Sequence, residues 1–273
     1  MADKITIPML QQMKNDGRKI VACVVYDYQL AQVVDRAGVD LVSVGDSVGA
    51  NMWGQSNLLE VTMDQMVLAA QGVRRGVKRA LVSVDFPYGP LQESTEAAVR
   101  AAVRLVKEAN VDLVKLDGAA DFPEATSAIV RAGVPVFAQL GITPQTAQRF
   151  GGIEAAGADL ALQLKDEMVR QAVILEEAGA CILDFTNSGD VAGPAVTQAV
   201  SIPVVGGLAG GPWLDGRIRV AHAAIGYMAN TLDNDIERYA DVAHIALDAI
   251  QAFAEDVRAG RQVRGTVPLA PSS

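Results

Sequence analysis

The chain has 273 residues, half of them hydrophobic, with 23 Lys and Arg against 32 Asp and Glu and a formal net charge of -9. That is enough apolar material for one large core, and an acidic chain with no basic cluster beyond pairs such as Arg74-Arg75 is a poor binder of nucleic acid or anionic membranes. The opening Met-Ala-Asp-Lys-Ile lacks the basic-then-apolar layout of a signal peptide, and no apolar stretch approaches the ~20 residues of a membrane span, so a cytoplasmic protein is expected.

In chain order, eight strand-like runs stand out, at about 20–26, 40–45, 80–85, 111–116, 134–138, 159–163, 180–186 and 202–206. They are rich in β-branched and apolar residues, as in strands buried on both faces of a parallel sheet. Between them, Val61–Arg75, Glu93–Ala109, Pro123–Ala132, Asp166–Ala178 and Val191–Val200 carry apolar residues at helical spacing. Steps such as Ala37-Gly38, Ala132-Gly133 and Ala178-Gly179 fit left-handed helix ends before the next strand. Repeated strand–helix alternation predicts an α/β protein with a (β/α)8 TIM barrel and an additional C-terminal helix. An open doubly wound sheet is the alternative, but the first strand ends in Tyr26-Asp27-Tyr28 rather than in a glycine-rich turn. A single barrel domain over 1–273 is expected, with an amphipathic helix at about 233–260 and a mobile tail at 261–273.

Three runs stop at a carboxylate: Val44-Gly-Asp46-Ser47, Val84-Asp85-Phe86-Pro87 and Val114-Lys115-Leu-Asp117. The C-terminal ends of barrel strands are where such folds place their chemistry. Asp46, Asp85 and Asp117 offer hard oxygen ligands for a divalent metal, and Lys115 offers a cation for an anionic substrate. Magnesium keeps several open positions, so a 2-oxo acid can chelate it through its keto and carboxylate oxygens. Ser47 can donate to the substrate carboxylate. Read singly, Asp46 is also a turn or N-cap residue, Asp85 a turn aspartate, and Lys115 the partner of Asp117 in a structural ion pair. The two cysteines, Cys23 and Cys181, and the two histidines form no zinc pattern or disulfide framework.

From about Thr6 to Gly226 the chain resembles the ketopantoate hydroxymethyltransferase family, of the phosphoenolpyruvate mutase/isocitrate lyase superfamily. The resemblance rests on Tyr26-Asp27-Tyr28, Val44-Gly-Asp-Ser-Val-Gly49, Asp85-Phe-Pro87, Val114-Lys115, Leu140-Gly-Ile-Thr-Pro-Gln145 and Ser201-Ile-Pro-Val-Val-Gly206. It implies Asp46 and Asp85 as magnesium ligands, and Ser47 and Lys115 as holders of the oxo-acid carboxylate. It also implies transfer of a one-carbon unit from 5,10-methylenetetrahydrofolate to 2-oxoisovalerate through a metal-stabilised enolate, a place in pantothenate biosynthesis, and a homo-oligomer.

The departures from the family pattern fall on the chemistry. Asp117 stands where the family has glutamate and Gln139 where it has histidine. Counting without gaps puts Thr186 at the position of the glutamate that removes the substrate's C3 proton, and a threonine hydroxyl does not ionise near neutral pH. Ala229-Asn-Thr-Leu replaces the family's Pro-Lys-Phe stretch. Asp184, two residues before Thr186 and on the same strand face, is either a substitute carboxylate or a buried, paired aspartate. Gln139 and Gln163, also at strand ends, point to an amide-lined pocket. The expected function is a magnesium-dependent aldol-type transferase acting on a 2-oxo acid. The alternatives are C–C cleavage, decarboxylation or hydrolysis of a chelated oxo acid, or a non-catalytic relative that binds one.

Overall fold

The computed structural model describes residues 3–152 and 163–265. Its contacts divide the chain into two compact units, Met1–Ala221 and His222–Ser273.

The first unit is a closed parallel barrel of eight strands in sequential order. They are β1 Ile20–Val24, β2 Leu41–Val44, β3 Leu81–Asp85, β4 Leu113–Asp117, β5 Val136–Gly141, β6 Ile182–Thr186, β7 Val204–Gly206 and β8 Gly216–Val220. The expected (β/α)8 barrel is present, but two of its strands were misnumbered by the apolar runs. Residues 159–162 of the run 159–163 lie outside the described residues, and Gln163 is exposed at the start of a helical segment. The runs at 180–186 and 202–206 are therefore β6 and β7, and the barrel closes through Gly216–Val220, which pairs with β1 from Ile20↔Gly216 to Val24↔Val220. This strand escaped notice because Arg217 and Arg219 interrupt it. Both are exposed on its outer face, while Ile218 is buried.

The helices follow from their caps and buried stripes. They are α1 Ile7–Asn15, α2 Tyr28–Arg36, α3 Val48–Trp53, α4 Met63–Gly76, α5 Pro90–Glu93, α6 Thr95–Ala109, α7 Pro123–Arg131, α8 Lys165–Glu177, α9 Gly189–Ala199 and, in the second unit, α10 Val242–Arg258. The Asp27 carboxylate caps α2 by accepting from the N–H groups of Gln29 and Leu30. Thr62 and Gln65 form a reciprocal capping box on α4. On α6 the buried face is Ala97, Ala98, Ala101, Ala102 and Leu105, small residues that let the helix lie close to the sheet. Outward strand residues such as Val82, Val84, Val114 and Leu183 pack beneath these helices.

Inward strand residues build a different core. Ile20, Leu41, Leu81, Leu113, Phe137, Ile182 and Ile218 fill the lower barrel, and Ile5, Leu10 and Met13 from the N-terminal segment and α1 pack into the same cluster. Full burial of such side chains stabilises by about 1.5–3 kcal/mol each. Lys14, at the end of α1, bonds Asp215 at 3.0 Å and the carbonyls of Val200 and Ile202 at 3.2 and 2.9 Å. One end of the barrel is thus apolar and closed, which leaves the other for polar groups.

In the second unit the helix expected over 233–260 begins only at Val242. The segment before it satisfies its polar groups otherwise. Arg238 donates to the carbonyls of Asn234 and Ile236 and to Asp241, and the N–H of Tyr239 goes to Ala224. Residues 266–273 of the expected mobile tail lie outside the described residues.

Asp35 on α2 has a role that composition does not reveal. Its carboxylate accepts from the backbone N–H groups of Lys78, Arg79 and Ala80 at 2.8–3.1 Å, fixing the approach to β3. Asp35→Ala leaves three donors unmet, and a loss of about 2–4 kcal/mol is expected. Urea denaturation measures it, and a loss below about 0.5 kcal/mol, the range of inert surface substitutions, would show that the donors find other partners.

Candidate active site

Alternation along each strand sends one set of side chains inward at the C-terminal end of the barrel. The register pairs Asp85 with Lys115, Asp117 with Gln139, Gln139 with Asp184, and Gly141 with Thr186. Asp46 follows β2 directly. Asp46, Asp85, Lys115, Asp117, Gln139, Asp184 and Thr186 are all buried. Gly45 permits the turn at Asp46, since a Cβ there would stand 2.8 Å from Ser47 Oγ and 2.9 Å from Val24 Cγ1.

Lys115 is the hub. Its Nζ lies 3.1 Å from Asp85 Oδ2, 3.2 Å from Asp184 Oδ2 and 2.7 Å from Gln139 Oε1. An ammonium has three hydrogens, so all three are committed. Burial alone would lower its pKa, but the surrounding Asp85, Asp184, Asp46 and Asp117 raise it above the ordinary lysine value, and it stays charged. The ion pair that the sequence suggested with Asp117 is instead made with Asp85 and Asp184. Gln139 continues the chain by donating from Nε2 to Thr186 Oγ1 at 2.7 Å.

A second set of bonds holds the carboxylates. Ser83 donates to Ser43, and Ser43 to Asp85 Oδ1 at 3.2 Å. Gln145, in the loop after β5, reaches across the barrel end. Its Nε2 donates to Asp46 Oδ2 at 2.8 Å and to the Phe86 carbonyl at 2.9 Å, and its backbone N–H donates to Asp117 Oδ2 at 3.1 Å. Ser47 Oγ is half-buried and lies 2.8 Å from the Tyr26 hydroxyl, which also accepts from Asn51.

Four carboxylates therefore surround one ammonium, an excess of negative charge that burial makes costly. Burial, then the charge of Asp85, pushes the Asp46 carboxyl up to about 7, against the Gln145 hydrogen bond and Lys115. Burial lifts Asp117 to about 6, with hydrogen bonds from Thr143 and Gln145 opposing. Asp184 is also raised by burial, with Lys115 opposing. Asp117 Oδ1 and Asp184 Oδ1 are buried without a hydrogen-bond partner. Such a set fits a hard divalent cation. Among the described residues, however, no three His, Cys, Asp or Glu side chains converge as a metal-holding group. The trio Asp46, Asp85 and Asp117 is not drawn together, and a cation here would complete its shell with water or ligand oxygens.

Every site residue expected from the sequence except Gln163 lies in or beside this cluster. The residues missed were Ser43, Ser83 and Gln145 as a bonding partner. The two serines were within reach of pattern reasoning, since Ser83 stands two residues before Asp85 on the same face, and Ser43 pairs with Ser83 in register. Gln145 gave no such signal, lying 99 residues from Asp46.

The profile of the ketopantoate hydroxymethyltransferase family matches residues 4–262. The 3-methyl-2-oxobutanoate hydroxymethyltransferase of Salinibacter ruber is 38% identical over 255 residues, covering 93% of this chain and 95% of its own. The enzyme of that name from Pyrococcus abyssi is 38% identical over 260 residues, covering 94% and 89%. Among solved structures, 2,3-dimethylmalate lyase, a PEP mutase/isocitrate lyase superfamily member, superposes with TM-score 0.61 at 17% identity, covering 97% of this chain and 92% of its own. A phosphonopyruvate hydrolase complex with oxalate and Mg++ gives 0.61 at 14% identity, covering 97% and 92%. These two show the shared fold. Among the described residues no helix is long and apolar enough to cross a membrane.

The folded pKa of Asp46, about 7, lies above the ordinary aspartate value of 3.8, so its share of stability is complete below about pH 4 and is lost as pH rises to 7. Metal-free protein should therefore become less stable over that interval. Added Mg²⁺ should stabilise most above pH 7, where Asp46 is ionised. Thermal melts from pH 4 to 8, with and without Mg²⁺, test the sign, and a Mg²⁺ effect larger at pH 5 than at pH 8 would refute it. Separately, Gln145→Leu removes the donor that orients Asp46. Mg²⁺ affinity measured by calorimetry should fall about 10–100-fold, the usual cost of losing such a support, and an unchanged affinity would mean that Gln145 does not orient a metal ligand.

Proposed function

Because the chain belongs to the ketopantoate hydroxymethyltransferase family, we propose that it adds a hydroxymethyl group to C3 of a short branched 2-oxo acid such as 3-methyl-2-oxobutanoate. The observation that carries this reading is the buried arc from Asp85 through Lys115 and Gln139 to Thr186, with Asp46 and Asp184 beside it. It places paired carboxylates, a fixed cation and a neutral hydrogen-bonding wall around one barrel end.

In this reading Asp46 and Asp85 hold a magnesium ion, with Asp117 alongside. When bound, the ion supplies a Lewis acid that polarises the C2 carbonyl and stabilises the negative charge developing there. The magnesium in the phosphonopyruvate hydrolase complex supports this choice of ion. Ser47 donates to the oxo-acid carboxylate, exchanging its contact with Tyr26. Lys115 keeps the site's charge near balance and orients Gln139. Thr186 takes the place of the family's glutamate and cannot serve as the base. Asp184 Oδ1, on the same face of β6 and without a partner, takes the C3 proton. Its raised pKa suits that task. The same reading includes 5,10-methylenetetrahydrofolate as the one-carbon donor, with water supplying the hydroxyl oxygen and tetrahydrofolate leaving. It also includes a homo-oligomer, supported by the apolar stripe Ile245, Ala249, Ile250 and Phe253 on α10.

Exchange of the C3 proton of 2-oxoisovalerate in D₂O, followed by NMR with and without Mg²⁺, tests the reading. The parent should exchange only with Mg²⁺, and Asp184→Asn should slow exchange by about 10²–10⁴-fold. Exchange that is independent of Mg²⁺ would overturn the metal assignment, and full exchange in Asp184→Asn would assign the proton to another group.

A further inference from the structure

The hydrogen-bond directions around Lys115 leave one donor over. Lys115 cannot accept, so the Gln139 oxygen must face it and the Gln139 NH₂ must face Thr186. The amide orientation is therefore dictated by its partners. Thr186 Oγ1 accepts at 2.7 Å, and its own proton goes to no acceptor among the described residues. Two residues earlier on the same strand face, Asp184 Oδ1 is buried with no donor. The end of β6 thus carries a spare donor and a spare acceptor on one strand face, two residues apart and 5% and 3% exposed.

The backbone that presents them is held from both sides. A Cβ on Gly141 would stand 2.3 Å from the Thr186 carbonyl oxygen, and one on Gly206 would stand 2.5 Å from the Phe185 carbonyl oxygen. Gly141 has φ +98°, a conformation that favours glycine. These two glycines let β5 and β7 close against the end of β6, so the Thr186 hydroxyl sits on backbone fixed by its neighbours.

A spare donor and a spare acceptor on one strand face are the complement of an alcohol, which accepts through oxygen and donates through its proton. We propose that Thr186 and Asp184 form a subsite for the hydroxyl of a 4-hydroxy-2-oxo acid, the oxygen that water supplies to the transferred carbon. The proposal rests on the hydroxymethyl-transfer reading above and gives the neutral residue at 186 a function of its own. Thr186 donates to the hydroxyl oxygen, and Asp184 Oδ1 receives the hydroxyl proton as a hydrogen bond.

The test compares two ligands that differ by one oxygen, 4-hydroxy-3,3-dimethyl-2-oxobutanoate and 3,3-dimethyl-2-oxobutanoate. Neither has a C3 proton, so binding is measured without enolate formation. Calorimetry with Mg²⁺ should show the parent preferring the hydroxy acid by about tenfold or more. Thr186→Val should erase most of that preference by weakening the hydroxy acid alone, and Thr186→Ser should retain it. If the parent binds both ligands equally, or if Thr186→Val weakens both alike, the subsite is refuted while the oxo-acid reading stands. If neither ligand binds the parent with Mg²⁺, the oxo-acid reading itself fails and the subsite with it.

Discussion

The site is organised by a single ammonium group. Lys115 has three hydrogens, and each is spent on a different wall of the barrel: Asp85 on β3, Gln139 on β5 and Asp184 on β6. The result is an internal cross-link from β4 to both of its neighbours and one strand beyond, to β6. Removing one partner of a buried ion pair typically costs about 3–5 kcal/mol, because the other charge is left without compensation. Here the imbalance would be larger in kind, since Asp46 and Asp117 also lie within the field of the same lysine. An incoming carboxylate would compete for a hydrogen already held, so recognition of an acid here is an exchange of partners.

The barrel accommodates this charge because it separates polar and apolar layers along its axis. Leucine, isoleucine and phenylalanine side chains fill the lower interior, and α1 closes that end. Serines occupy the level of Ser43 and Ser83, and carboxylates, amides and the lysine lie above them. Each layer can hydrogen-bond or pack with its own kind. The polar end is the one suited to an anionic ligand and a hydrated cation.

Much of this was legible in the sequence because parallel strands buried on both faces leave continuous apolar runs, and a carboxylate that ends such a run is conspicuous. Asp46, Asp85 and Asp117 stand out in that way, with Lys115 among them, and Asp184 by its place two residues before Thr186 on one strand face. Elements without such a run are silent in the sequence. β8 has the exposed Arg217 and Arg219 on its outward face, so it carries alternation in place of an apolar run. The segment 233–241 shares the hydrophobic spacing of a helix, yet Arg238 takes up its carbonyls, and helix formation waits for Val242. Partner choice was harder still. Lys115 and Asp117 are neighbours on one strand face, but the register sets Asp85 directly opposite Lys115, and pairing across strands prevailed over proximity along the chain. Gln145 depends on the path of a loop, which no periodicity encodes.

The two glycines that flank the end of β6 separate position from identity. The carbonyls of Phe185 and Thr186 lie against the glycine backbones of β5 and β7, contacts made by the main chain at 186. Residue 186 is therefore a socket: its main chain is gripped by its neighbours, while its side chain meets the Gln139 amide. A family built on such a barrel can drift in chemistry at this point without first losing its fold, and a protein engineer can treat the position as a place to install acids, bases or alcohols against a constant background.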